Sequence, residues 1–238
     1  MSKARLMLLG VVGALSAVAV LAPTASAKIS FEWFVEGHLL ALAEQRTFSL
    51  NTDGHAFALG GKAAGVNVLF LSSKISTENA VLFGGRPGTG EATIIFESVK
   101  VDNPAGCAVE SLSEPVANTI KTKPLKIEIV EGQNGEVLLL LAPVSHEFLA
   151  ILLFLNKGTE TCALAGQSPG IEGNILALPL PQKTEVLRQN IVFPSAEQLF
   201  VLAGGTSQLA RFAFATEPAT LTGLTLISLA SDAVFGPF

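Results

Sequence analysis

Gly166-Gln167-Ser168-Pro169-Gly170 matches, letter for letter, the G-x-S-x-G turn that presents the nucleophile of many serine hydrolases. The neighbouring residues contradict the match. In that turn the residue after the serine donates its backbone N–H to the oxyanion, and Pro169 has none. A helix should follow, whereas Ile171-Glu172-Gly173-Asn174-Ile175-Leu176 has the composition of a strand. The acid and the histidine should also come later in the chain, yet no histidine follows His146. A proline–glycine turn is expected instead, and no catalytic residue is assigned.

Gly85 and Gly90 bracket four residues as a phosphate-binding loop does, but Glu91 stands where that loop needs a lysine. A carboxylate there repels phosphate, so the stretch is read as a surface turn. His38, His55 and His146 have no second ligand at metal-binding spacing, and neither a metal nor another cofactor is expected. Glu32 with Glu36, and Glu110 with Glu114, would serve as acid and base only if one buried carboxyl lay beside another.

Cys107 and Cys162 are the only cysteines, and how they are read depends on where the protein resides. Lys3 and Arg5 precede an apolar run from Leu6 to Ala22, and Pro23-Thr24-Ala25-Ser26-Ala27 supplies the small-x-small pattern cut by signal peptidase. Cleavage between Ala27 and Lys28 is expected, leaving a single secreted domain over 28–238. The alternative is an uncleaved anchor, but the run falls short of the roughly twenty apolar residues that span a bilayer. In an exported chain two cysteines read as a disulfide. Closing the loop between them removes denatured-state entropy worth about 4 kcal/mol in the chain-entropy model.

Without the leader, thirteen basic residues face twenty acidic ones, a net charge of −7. The charges are scattered singly, with no basic stripe to neutralise phosphates, so nucleic acid is excluded as a partner. Fifteen phenylalanines, one tryptophan and no tyrosine fill cores rather than build sugar-binding platforms. They also supply no aromatic girdle for an outer-membrane barrel.

The elements are short β segments punctuated by glycine, proline and asparagine. Leu125-Lys126-Ile127-Glu128-Ile129 alternates strictly, Gln133-Asn134-Gly135 turns the chain, and Val137 to Leu141 runs back, which predicts a hairpin. Further strands are predicted at Thr47–Leu50, running into the Asp53-Gly54 turn, and at Val66–Ser72, Ala92–Val101, Ile171–Leu178 and Leu209–Ala215. The Ala92–Val101 strand carries a bulge where its apolar register changes face between Phe96 and Val99. His38 to Glu44 is the best helical candidate. Many brief strands at short intervals predict an all-β sandwich or barrel of antiparallel strands.

Val137 to Ala142 and Phe148 to Leu155 are apolar at almost every position. Pro143, Ser145, His146 and Glu147 interrupt them, so no transmembrane span is expected in the mature chain. Two readings remain: adjacent strands buried on both faces, or an exposed interaction patch built on Leu139, Leu141, Leu149, Ile151 and Leu153.

Trp33-Phe34-Val35-Glu36-Gly37, Gly106-Cys107-Ala108-Val109, Thr122-Lys123-Pro124-Leu125-Lys126 and Thr161-Cys162-Ala163-Leu164-Ala165-Gly166 together resemble a group of uncharacterised secreted β-rich proteins of soil actinobacteria. The resemblance covers most of the mature chain and implies no activity. It also implies a second cysteine pair near Phe70–Ser72 and Ser98–Val99, which this chain lacks.

The expected function is therefore that of a non-catalytic secreted or surface-associated β protein, acting by self-association or by binding a protein or polymer. A carrier of a small apolar ligand in a β cavity is the alternative, and a secreted hydrolase ranks third.

Overall fold

The computed structural model describes residues 31–52, 56–145, 148–194 and 199–238. The leader, its Ala27–Lys28 cleavage point, the Asp53-Gly54 turn, His55 and His146 lie outside the described residues.

Strict alternation of apolar and charged residues makes a strand with one wet face, and eight strands here close into a barrel around the dry faces. They are β1 (Gln45–Asn51), β2 (Lys74–Phe83), β3 (Thr89–Glu97), β4 (Leu125–Gly132), β5 (Val137–Pro143), β6 (Ile175–Leu180), β7 (Gln189–Phe193) and β8 (Thr220–Leu229). Each pairs antiparallel with the next, and β8 pairs with β1, so the barrel is an up-and-down meander without open edges. The predicted hairpin is β4–β5, in register from Leu125↔Pro143 to Glu131↔Val137.

In such a meander successive connections alternate between the two ends. At one end they are short: 84–88, 133–136 and 181–188. The same end is capped by a three-stranded sheet of Trp33–Val35, His38–Leu39 and Phe235–Pro237, which brings the first and last described segments together. Trp33 is buried there, its indole N–H donating to the Thr89 carbonyl at 2.9 Å. The Gly85–Gly90 stretch, expected as a surface turn, instead wraps this anchor: Gly88 is buried, its N–H donates to the Phe31 carbonyl, and its carbonyl accepts from Ile129 at 3.1 Å. A Cβ on Gly88 would sit 2.8 Å from both Trp33 and Ile129, so glycine is required by close approach.

At the other end every connection is long, and the four excursions build a second lobe. Phe57–Ala63, Val66–Ser72 and Lys100–Asn103 extend from β8 as one sheet. Cys107–Ser111, Ala150–Asn156, Gly170–Gly173, Phe212–Phe214 and Glu217–Pro218 form a second. Phe70 lies against Phe154 and Phe214, with centroids 5.8 and 5.6 Å away. Phe57 bridges to the barrel through Phe96 and Phe193. One continuous hydrophobic cluster runs through barrel, cap and lobe.

Three segments expected to be single strands are each two strands meeting at a corner. The Ala92–Val101 segment leaves the barrel at Ser98, where φ is 53°, and its second half pairs with Val66–Ser72. The register change is thus a switch of sheet rather than a bulge within one ladder. Ile171–Leu178 breaks at Gly173, whose φ of 92° and close approach to the Arg211 carbonyl both exclude a side chain. Leu209–Ala215 breaks at Ala210 and Arg211. His38 to Glu44 is not helical either. Glu36 and Gly37, with φ of 53° and 78°, form a tight turn that sends His38–Leu39 back along Trp33–Val35, and tertiary pairing overrides the local pattern.

Candidate functional site

The expected interaction patch is the first place to look for a site, and three of its five residues are buried. Leu139 and Leu141 are each 5% exposed and lie in the barrel interior with Val137, while Leu149 is 1% exposed. Leu138 and Leu140, on the outer face of β5, join Val130 and Leu176 in a separate cluster. Phe200, from the hairpin Leu199–Val201/Ser207–Leu209, and Ala210, just after it, cover them. Ile151 and Leu153 are half-buried on Ala150–Asn156, a strand that does not pair with β5. Double-sided burial thus holds for β5, whose outer face is roofed by a hairpin some sixty residues downstream.

Cys107 and Cys162 form a disulfide with Cα atoms 4.6 Å apart. It ties the first strand of the second lobe sheet to the loop after Ala150–Asn156, where the Cys162 N–H also donates to Asn156 Oδ1 at 2.9 Å. Ser168 lies in an extended stretch running beside Ala150–Asn156: Phe154 N–H donates to the Gln167 carbonyl, and Leu152 N–H to that of Pro169, both at 3.0 Å. The strand Gly170–Gly173 follows, so the strand–turn–helix of a nucleophile elbow is not formed there.

Among the described residues, two small apolar voids lie against the core. One, of about 30 Å³, is in the barrel among Phe48, Ile94, Leu139 and Phe193; the other, of about 50 Å³, lies under the lobe among Phe57, Phe70, Phe96 and Leu149. The roomier recesses are on the outer wall. A groove of about 520 Å³ crosses β3, β4 and β5. Lys126 faces Glu91 across the ladder and pairs with Glu128 at 2.9 Å, with half-exposed Val144 on the rim.

A second recess, of about 230 Å³, is edged by Ile95, Glu97, Glu114, Val116 and Lys121. Lys121 contacts both Glu114 and Glu78, which raise its pKa above the ordinary lysine value, Glu114 most. Glu97 accepts from Lys74 at 2.5 Å and from Ser76 at 2.7 Å, and these hold its carboxyl below the ordinary carboxylate value. In each case the charged form is the one stabilised, which suits ion pairing rather than proton transfer near neutral pH.

Of the carboxylates singled out in the sequence, Glu32 pairs with Arg86 at 3.5 Å and Glu114 with Lys121. His38 is exposed on its two-residue strand. Among the described residues no three metal-ligating side chains converge. Sequence reasoning did not find either outer recess, because their walls are assembled from strands far apart in the chain.

No helix among the described residues is long and apolar enough to cross a membrane, and the disulfide is compatible with an oxidising compartment. No protein-family model matches the chain, and neither a curated protein nor a solved structure is similar to it.

Proposed function

We propose that this is a non-catalytic exported β protein that works by contact, through self-association or by holding a protein or polymer outside the cytoplasm. The observation that carries this reading is the division of space in the fold. Apolar voids of about 30 and 50 Å³ hold no more than a few molecules the size of water, whereas a small-molecule pocket needs roughly 300 Å³ or more. These voids give the carrier reading little support, and larger recesses lie on the outer wall. The leader and the disulfide support an extracellular site of action.

Native mass spectrometry of the mature protein from culture medium tests the proposal. The expected spectrum shows the polypeptide mass without a retained ligand, together with oligomers or a co-purifying partner. A stoichiometric bound lipid would overturn the proposal, and so would hydrolytic turnover abolished by Ser168→Ala.

A further inference from the structure

The contact reading leaves open where contact is made, and the sheet edges give an answer that rests on it. A closed barrel has no edges, so every open ladder belongs to an excursion from it. Lys100–Asn103 carries Lys100 and Asp102 and is followed by Pro104. Glu217–Pro218 consists of a charge and a proline. Cys107–Ser111 is covered by the returning chain, with Asn118 N–H donating to the Val109 carbonyl at 2.8 Å. Phe235–Pro237 is bridged by Val186 through bonds of 2.9 and 3.0 Å. Each of these four carries a charge, a proline or a cover, and His38–Leu39, at the edge of the cap sheet, is only two residues long; all are usual guards against edge-to-edge pairing.

Ser207–Leu209 has none of these guards. It is the outer strand of the hairpin that roofs β5, and all three residues are exposed. From Leu199 to Ala210 there is no charged residue and no proline. Leu199 and Leu209 face each other across the hairpin, 43% and 37% exposed. Leu202 N–H donates to the Thr206 carbonyl, which places Phe200↔Gln208 among the bonded pairs of this ladder. The N–H and C=O of Ser207 and Leu209 then point away from the hairpin, and among the described residues nothing accepts or donates to them.

We infer that Ser207–Leu209 is a pairing edge for a second copy of this chain, joined antiparallel about a two-fold axis at Gln208. A copy is the occupant that the edge itself specifies. At a net charge of −7 two mature chains repel each other over most of their surface, and this uncharged stretch is a place where they can touch without opposing charges of like sign. The edge is also its own complement. Ser207 of one copy meets Leu209 of the other, each such pair exchanging both backbone bonds, about four in all. The Gln208 side chains lie opposite each other, and an amide both donates and accepts. Leu209 of each copy lies diagonal to the other within reach of contact. The two-fold closes the assembly at a dimer and consumes both edges, so no fibre grows from it. A three-residue ladder buries far less than the roughly 1,200 Å² of a stable interface, so the dimer is weak and populated by local concentration, as at a cell surface.

Sedimentation of the mature chain as a function of concentration, up to about millimolar, tests the inference. The expected result is a reversible monomer–dimer equilibrium. Ser207→Pro deletes an outward N–H without touching the hairpin's own bonds, and Leu209→Lys adds the missing guard; each should weaken dimerisation at least tenfold. Gln208→Cys should give a disulfide-linked dimer without reductant, a gain that misfolding does not imitate, whereas Asp102→Cys on the guarded edge should not. A chain monomeric throughout, or one that binds only a different macromolecule, overturns the inference. A dimer indifferent to both edge variants, without the Gln208→Cys cross-link, overturns the edge and leaves the contact reading standing.

Discussion

The two ends of the barrel are closed by opposite means. At the short-turn end, three strands of two or three residues each supply few ladder bonds, and closure depends on Trp33, packed against Gly88 and Ile129. At the long-connection end, two sheets meet across Phe70, Phe154 and Phe214, and a disulfide secures one of them. Short connections leave no chain with which to build, so one large side chain must act as the plug. Long connections supply a second core, and the staple offsets the entropy of ordering them.

The sharpest way to break the comparison is Trp33→Ala. A plug that fills one end alone should cost about 3–5 kcal/mol on removal. Hydrogen exchange should show the loss spreading through Trp33–Val35 and Phe235–Pro237 while Ala150–Asn156 stays protected. Equal loss of protection in both regions would mean that the ends are not independent.

Removing the staple should act on the opposite end. Cys107→Ser with Cys162→Ser is expected to cost about 2–4 kcal/mol in urea unfolding, with increased exchange in Cys107–Ser111 and Ala150–Asn156 and little change around Trp33.

A smaller effect should come from the hairpin tip joining Phe212–Phe214 to Glu217–Pro218. Ala215 and Thr216 have φ of 52° and 70°, and a β-branched residue in the left-handed region carries strain of roughly 1–2 kcal/mol. Thr216→Gly should raise stability by about 1 kcal/mol, read as a higher thermal midpoint, because the strain relieved exceeds the unfolded-state entropy added.

The same contrast explains what was legible in the chain. The β4–β5 hairpin could be read directly, because Lys126 and Glu128 mark the wet face and Asn134-Gly135 marks the turn. Both signals are local. The corners at Ser98 and Arg211 were not legible, since residues there change sheet in response to partners distant in sequence. The leucines of β5 announced burial on both faces but not what covers the outer one. Phe200 lies in a stretch with no apolar period of its own, and only its packing on Leu138 and Leu140 identifies it as the roof. The outer recesses share this property: Lys121, Glu78 and Glu114 come from three separate stretches of chain, and no motif spacing joins them.

The finest test concerns the outer wall between these ends, where Glu97 is held by Lys74 and Ser76. Its folded pKa lies below the unfolded value of 4.5, so its contribution to stability is complete above that value and is lost as pH falls through the folded pKa. Lys121 has the opposite sign. Its pKa is raised from 10.5, so its contribution is present at neutral pH and is lost only as pH rises through the folded value. Both groups are partly open to solvent, which limits each effect to a few tenths of a kcal/mol. Glu97→Gln should therefore flatten stability slightly on the acid side, below about pH 5, whereas Lys121→Met should flatten it on the alkaline side. If Glu97→Gln shifted the titration of Lys121 itself, the two ion-pair groups would be one coupled network, and the wall would have to be treated as a single electrostatic unit spanning β2, β3 and the Ile120–Lys121 strand.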